Sequence, residues 1–387
     1  MNFAALALVM AAGLVGPLLA SAHRFGPPVI VGEIAAGVVI GSGGLKWVDP
    51  ANPTVSLLAN IGFALLMFVV GTHLPVHDAR LRSSVVVGIA MTVMVGALAV
   101  GAGLLLAPFV GLHRPGMIAV LLATSSGAVA LPILQSLGRS DHAVLTTTAW
   151  IAIADVATVL ALPVVMATGG LGRVVLGGLL VVLAGGVWLV LARTALRSPA
   201  VQRMRTLSRE RGWGFDLRIS LLALFTCAWI ATRYGTSILI AGFAVGALVA
   251  VLGEPRRVAQ QLVGLGEGFV IPVFFVHLGT QIDVGALLRS PRSLVLGAAL
   301  AATAIAIHVA VALVWRLPTG MGLVASAQLG VPAAVVSIGF ATHQLTAAQG
   351  AAVMAALLVS LGACAVGSAV LGHGGSLTDA SAPVPTG

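Results

Sequence analysis

The stretch that decides the fold is HAVLTTTAWIAIADVATVLALPVVMAT, which runs from His142 to Thr168. It is apolar for longer than the roughly 20 residues that a helix needs to cross a bilayer. One acid, Asp155, interrupts it 13 residues from each end, which is about 20 Å along a helix. A carboxylate at membrane depth is rare and costly. Asp155 is therefore predicted to be a functional residue.

The whole chain has the composition of a membrane protein. Hydrophobic residues make up 59% of it, charged residues only 8%, and Lys46 is its one lysine. The predicted fold class is all-α integral membrane, with a single domain over residues 1–372 and a disordered Gly, Ser, Pro and Thr tail over 373–387. Thirteen membrane-spanning segments are predicted, at about 2–20, 28–42, 54–73, 84–110, 115–138, 142–168, 171–196, 216–234, 236–252, 258–282, 291–315, 318–342 and 346–372.

The positive charges of the chain predict its orientation in the membrane. They are not interpreted as a nucleic-acid-binding surface, and no nucleic-acid partner is predicted. Of the 20 Lys and Arg, 14 fall in odd-numbered loops, and seven of those lie between Arg193 and Arg218. Cytoplasmic loops carry the excess of basic residues. The N-terminus is therefore predicted outside and the C-terminus in the cytoplasm of a bacterial plasma membrane.

Three matched motifs predict an internal repeat. Ala36-Gly37 to Gly41 matches Ala241-Gly242 to Gly246, Phe68 to Thr72 matches Phe275 to Thr280, and Ser126 to Pro132 matches Ser326 to Pro332. The offset is near 205 residues, or seven segments. Because seven is odd, the second copy is inverted. The prediction is repeat one over about 1–168, a linking helix over 171–196 and repeat two over 216–372, the arrangement of many transporters.

Two segments are predicted to be broken helices that cross. Thr124 to Gly127 with Pro132 interrupts the fifth, and Ser326 to Gly330 with Pro332 interrupts the twelfth. Non-helical backbone at membrane depth is tolerated where it is buried in protein or lines a wet cavity. The alternative is a pair of proline-kinked packing helices.

Asp155 and the first break together predict an ion site. Oxygens of Thr124, Ser125 and Ser126 and backbone carbonyls would join the Asp155 carboxylate around a proton or a hard monovalent cation, Na⁺ or K⁺. The alternative is a structural acid, hydrogen-bonded to a neighbouring Thr or Ser.

Other polar residues inside apolar segments are accessory candidates. Glu33 would lie at a cytoplasmic vestibule or cap a helix end, Glu267 would pair with a buried polar group, and Gln328 lies in the second break. His308 and His277 are candidate charge partners of Asp155 or pH sensors. The alternative for each is a core histidine bonded to a backbone carbonyl.

The motifs also resemble a known family. Pro28 to Gly37, Leu66 to Gly71, Leu131 to Leu134 and Pro272 to Gly279 are similar to the monovalent cation–proton antiporter superfamily, in its second branch with the Kef-type and bacterial sodium/proton exchangers. The resemblance runs over residues 2–372. It implies a homodimer, an elevator-like core domain and thirteen helices with the N-terminus outside.

Three positions depart from that family. Its two-residue motif on the sixth helix reads Ala154-Asp155 here, so the polar partner of the second acid is missing. His308 stands where many members carry a lysine. Gly330-Val331-Pro332 replaces Gly-Glu-Phe. The first departure puts electrogenic exchange in doubt.

The functional hypothesis is a secondary antiporter that exchanges Na⁺ or K⁺ for H⁺, with no cofactor and no transition metal. No metalloprotease, serine-hydrolase or phosphate-loop motif predicts an enzyme, and nothing resembles the filter loop of a channel. The alternative is a sodium-coupled symporter of an organic anion, for which Gln328 is one of few available groups.

Overall fold

The fold is helical throughout the residues that the computed structural model describes, which are 3–21, 29–72, 82–138, 141–167, 170–211, 213–234, 237–252, 264 and 266–376. No strand occurs in these ranges. In chain order the helices are α1 (Phe3–Gly13), α2 (Val15–Ser21), α3 (Val29–Ile40), α4 (Pro53–Thr72), α5 (Arg82–Leu106), α6 (Pro115–Ala123), α7 (Gly127–Ser136), α8 (His142–Met166), α9 (Leu171–Arg197), α10 (Pro199–Arg211), α11 (Phe215–Arg233), α12 (Ile238–Val251), a π-helical turn (Gly266–Val270), α13 (Ile271–Thr280), α14 (Val284–Leu288), α15 (Pro291–Val314), α16 (Thr319–Ala325), α17 (Gly330–Ala341) and α18 (Ala347–Ser376).

The helices fall where the apolar segments predicted them. Within the described ranges, ten helical runs are long and apolar enough to cross a membrane. Three shorter apolar helices, Val29–Ile40, Ile238–Val251 and Gly266–Thr280, lie at the second, ninth and tenth predicted segments. The all-helical membrane fold is confirmed, while thirteen crossings remain a prediction.

Two boundaries differ from the sequence-based prediction. The arginine-rich loop after α9 contains a helix, α10, in which arginines alternate with Val201, Met204 and Leu207. Arginine is a good helix former, so a basic loop of this composition can be helical. The last helix continues to Ser376, four residues into the predicted tail. The remaining tail, 377–387, lies outside the described residues.

The chain divides into two compact units. The first comprises Met1–Asp78, Val159–Gly285 and Ser337–Ala347, and the second comprises Ala79–Thr158, Ala286–Val336 and Ala348–Gly387. Helices α8, α14, α17 and α18 each contain a boundary between the two units. Asp155 and both helix breaks belong to the second unit.

Within the first unit, each of two helices from the first predicted repeat packs against a helix from the second: α3 against α13, and α4 against α12. Glycines allow the backbones to meet. A Cβ atom at Gly37 would lie 2.1 Å from the carbonyl oxygen of Val276 and 2.9 Å from Gly279 Cα. In the other pair, a Cβ atom at Gly246 would lie 2.1 Å from the carbonyl oxygen of Phe68 and 3.0 Å from Gly71 Cα. The glycines that revealed the repeat in the sequence are thus the points of closest helix contact.

The linking helix α9 carries an apolar surface that the unit leaves uncovered. Its exposed side chains include Leu176, Leu179, Leu183 and Leu191, each about half exposed. Such a surface is unfavourable in water but suits lipid. The helix therefore matches a membrane-facing position.

Candidate ion-binding site

The site is built on two interrupted helices in the second unit. Helix α6 ends at Ala123 and α7 begins at Gly127; between them Thr124 and Ser126 have extended backbones, with φ/ψ of −72°/142° and −109°/110°. The second interruption separates α16 from α17 over residues 326–329. Ser and Thr compete with the helix by bonding to nearby backbone groups. Pro132 lies inside α7, so the Thr and Ser residues mark the break better than the proline does.

The two breaks are hydrogen-bonded to each other. The Ser126 N–H donates to the carbonyl of Ala327 at 2.7 Å, and the Ser125 hydroxyl donates to the carbonyl of Ala325 at 2.6 Å. A further bond runs from Gln328 Nε2 to the carbonyl of Leu121 at 2.8 Å. Part of the backbone freed by each interruption is thus bonded to residues of the other one, which helps to satisfy its buried polar groups.

Asp155 projects from α8 onto the first break. Its Oδ2 accepts a hydrogen bond from the N–H of Gly127, the first residue of α7, at 2.9 Å. The N-terminus of a helix favours negative charge. The Asp155 residue is 8% exposed. Among the described residues no donor is recorded for Oδ1, and no Lys, Arg or His nitrogen lies within 4.0 Å of the carboxylate.

Two threonines link α8 to the first break. Thr124 Oγ1 and Thr158 Oγ1 are 3.2 Å apart, and the Thr158 hydroxyl also bonds to the carbonyl of Ala154 at 2.8 Å. The sequence analysis missed Thr158. Its spacing was the available signal, because a residue three positions after Asp155 lies on the same side of a helix.

Helices α6 and α16, which precede the two breaks, differ in the hydrogen bonding of their last four carbonyls. Of the last four in α6, Val120 accepts from Thr124 N and Leu121 from Gln328, while no donor to Leu122 or Ala123 is recorded in the described part of the chain. All four in α16 have donors: Gly322, Leu323, Val324 and Ala325 accept from Ser326 N, Ser326 Oγ, Ala327 N and Ser125 Oγ. Open carbonyl oxygens are therefore concentrated at the end of α6, beside Thr124.

These groups form an oxygen-rich site. The carboxylate, the hydroxyls of Thr124, Ser126 and Thr158 and the open carbonyls are all hard ligands, which suit alkali cations rather than transition metals. Within the described ranges no three His, Cys, Asp or Glu side chains come together as a metal-binding group. Ser125 belongs to the same break, but its hydroxyl hydrogen is already used on Ala325.

His308 is buried in the second unit and does not reach Asp155 in this structure. Its Nδ1 donates to the carbonyl of Ala304 at 2.8 Å, and its ring stacks on Trp150 with centroids 5.6 Å apart. Its Nε2 has no partner among the described residues. This is the geometry of a core histidine bonded to a backbone carbonyl, the alternative to an ion pair.

Three further candidates, Glu33, His277 and Glu267, lie in the first unit. Glu33 is buried on α3, and His277 is buried on α13, where its Nε2 accepts from Gln281 Nε2 at 2.7 Å. Glu267 lies in the π-helical turn with its side chain exposed, and among the described residues no buried polar partner of the kind expected is recorded for it. Of the five candidates, Gln328 and His308 belong to the same unit as Asp155.

Curated proteins resemble this chain in sequence. The chain is 30% identical over 305 residues to the glutathione-regulated potassium-efflux system protein KefC of Salmonella paratyphi B, covering 76% of this chain and 47% of KefC. KefC of Salmonella newport is 29% identical over the same length. The chain thus spans about half the length of these curated relatives.

A solved structure has the same fold. The sodium proton antiporter MjNhaP1 of Methanocaldococcus jannaschii at pH 8 superposes with a TM-score of 0.61, over 96% of this chain and 97% of that one, at 14% identity. At that identity the likeness concerns the fold alone. Residues 9–378, which are nearly the whole chain, match the transmembrane sodium/hydrogen exchanger family. The protein therefore belongs to that family.

Proposed function

We propose that this protein is a secondary antiporter that exchanges Na⁺ or K⁺ for H⁺, with Asp155 binding the proton and the cation in turn. The observation that carries the proposal is the position of Asp155: a buried carboxylate at a helix break, held by the Gly127 N–H at 2.9 Å and paired with no positive side chain in the described residues. Oxygens of Thr124, Thr158, Ser126 and the end of α6 complete the cation shell.

Coupling follows from the cost of a bare charge. A carboxylate with neither a proton nor a cation is expensive to move through a bilayer. The site therefore changes sides only when Asp155 is neutralised by one ligand or the other. Because both ligands need the same carboxylate, they cannot be carried together. One carboxylate gives a 1:1, electroneutral exchange.

The setting of the transporter is part of the proposal. It is a multi-pass protein of the bacterial plasma membrane, with its N-terminus outside and its C-terminus in the cytoplasm. It works as a homodimer by an elevator-like movement. The basic helix α10 supports this orientation, because cytoplasmic loops carry the excess of arginine.

The two candidate cations are both represented among the relatives. KefC is named for potassium efflux, whereas the matched family and MjNhaP1 are named for sodium. The alternative, a sodium-coupled symporter of an organic anion, is not favoured. The family match is to exchangers, and Gln328, the group that would serve an organic anion, is bonded to Leu121.

The test is cation-driven proton flux in proteoliposomes that contain only this protein. A pH gradient is imposed, and Na⁺ or K⁺ is added without any organic solute. The wild type is expected to dissipate the gradient and Asp155→Asn is expected not to. Asp49→Asn is the matched control, because Asp49 is exposed and its carboxylate accepts a local hydrogen bond, from Ala51 N at 2.9 Å, as the one recorded among the described residues. No flux from the folded wild type, or full flux from Asp155→Asn, would refute the proposal.

A further inference from the structure

Ser360 occupies a buried position on α18 next to the second helix break. Its hydroxyl donates to the carbonyl of Leu357 at 2.7 Å and accepts a hydrogen bond from the backbone N–H of Gln328 at 3.2 Å. Both bonds lie within the second unit. Ser360 thus fixes a backbone group that the interruption leaves without a helical partner.

Ser360 corresponds to Asp155 in the two halves of the chain. Each lies on the helix that follows a broken helix, and each accepts from a backbone N–H at that break. Their separation of 205 residues lies within the range of 200 to 208 residues that separates the three matched motifs. The first half has a carboxylate at this place and the second has a hydroxyl, which does not ionise at physiological pH. Only one of the two equivalent positions can carry a titrating charge.

Gln328 connects Ser360 to the first break by hydrogen bonds. While its backbone is held by Ser360, its buried side-chain amide donates to the carbonyl of Leu121, two residues before the end of α6. Without Gln328 that carbonyl would have no recorded donor. The bonds therefore run from α18 through Gln328 to the end of α6, which carries the open carbonyls and Thr124.

We propose that Ser360 and Gln328 are positioning residues that hold the end of α6 at the distance from Asp155 that the cation requires. Neither contacts the cation. They set the size of the oxygen shell, and through it the affinity and the selectivity among Li⁺, Na⁺ and K⁺. This inference rests on the proposed antiport function.

The test measures the apparent KM and maximal rate for each of the three cations in Ser360→Ala, Gln328→Met and the double variant. Each single change is expected to raise KM about 3–10-fold, the effect of one buried hydrogen bond, and to change the ratio of KM values among the cations. Maximal rates are expected to stay within about twofold, since the carboxylate is intact. The double variant is expected to resemble the worse single variant, because both changes cut one chain of bonds.

Conservative and matched variants separate positioning from general damage. Ser360→Thr keeps the hydroxyl and is expected to restore the wild-type KM. Gln344→Met removes a similar amide bond, from Gln344 Nε2 to the carbonyl of Met166 at 3.0 Å, in the other unit. Ser368→Ala removes a second hydroxyl from α18. Both controls are expected to leave KM and selectivity unchanged.

Two results would overturn the inference. One is a wild-type KM and selectivity in both Ser360→Ala and Gln328→Met. The other is a loss of maximal rate that follows a loss of folded protein, measured by thermal melting in detergent, with KM unchanged. Failure of the antiport proposal looks different, because the wild type itself would then show no cation-driven flux.

Discussion

The carboxylate of Asp155 serves as the N-terminal cap of α7 by accepting the N–H of Gly127. The residue in the cap position, Ser126, makes no side-chain cap bond of its own. A helix end and a titrating group therefore share one hydrogen bond. A proton or a cation on Asp155 changes the charge that faces the first turn of α7, so ligand binding and the geometry of the break are linked.

Gly127→Ala is expected to weaken cation binding without unfolding the protein. A Cβ atom there would lie 3.1 Å from Asp155 Oδ2, so the carboxylate would have to shift by a few tenths of an ångström. We expect a several-fold rise in the apparent KM in proteoliposome flux. Gly96→Ala on α5 is the control, because a Cβ atom at Gly96 meets nothing within 4 Å. An unchanged KM in Gly127→Ala would show that the Asp155–Gly127 bond does not matter for binding.

Thr158→Val tests the second hydroxyl of the site. Valine keeps the shape of the side chain but removes the oxygen that lies 3.2 Å from Thr124 Oγ1. Loss of one buried polar contact corresponds to about 1 kcal/mol, so a roughly fivefold rise in KM is expected. Thr226→Val on α11, where the hydroxyl bonds only to the carbonyl of Leu222, is expected to change nothing. Equal KM values in the two variants would remove Thr158 from the site.

Exchange is expected to be electroneutral and independent of His308. His308 bonds to Ala304 and stacks on Trp150. We therefore expect the Asp155 carboxylate alone to bind the transported proton and cation. Flux measured with and without an imposed membrane potential should be equal, both for the wild type and for His308→Gln. A rate that depends on the potential in the wild type, and loses that dependence in His308→Gln, would instead assign a transported proton to the histidine.

Sequence reasoning predicted the candidate site but not all of the residues that the structure brings to it. Asp155 and the Thr124–Ser126 break could be predicted because charged and polar residues are costly in lipid and are therefore conspicuous in an otherwise apolar segment. Thr158 and Ser360 were missed, since an isolated hydroxyl in an apolar helix usually bonds to its own backbone, although the three-residue spacing from Asp155 was a signal for Thr158. The surroundings of His308 were equally invisible, because stacking on Trp150 depends on how α8 and α15 pack. Helix α10 was missed because its charges were interpreted only as a signal of orientation.

Gly37→Ala is expected to destabilise the first unit strongly. The added methyl group would lie 2.1 Å from the carbonyl oxygen of Val276, and overpacking of this kind typically costs about 1–3 kcal/mol. Thermal melting in detergent should show a clear fall in the transition temperature. Gly178→Ala on α9 is the control, since a Cβ atom there meets nothing within 4 Å. Equal melting of the two variants would mean that α3 and α13 can move apart without loss.

Single-cysteine labelling tests the orientation. In a background without Cys227 and Cys364, which are both buried, Arg203→Cys on α10 is expected to react with an impermeant maleimide only from the cytoplasmic side. His113→Cys, between α5 and α6, is expected to react only from outside. Inside-out and right-side-out vesicles distinguish the two sides. The opposite pattern would reverse the predicted topology.

The glycine contacts of the first unit also bear on how the protein can move. The backbone of α3 contacts that of α13, and the backbone of α12 contacts that of α4. At these glycines no flexible side chain lies between the two helices, so none could repack if one helix slid along the other. Shear within these pairs is sterically blocked. Any movement during transport is therefore expected to leave the contact within each helix pair unchanged.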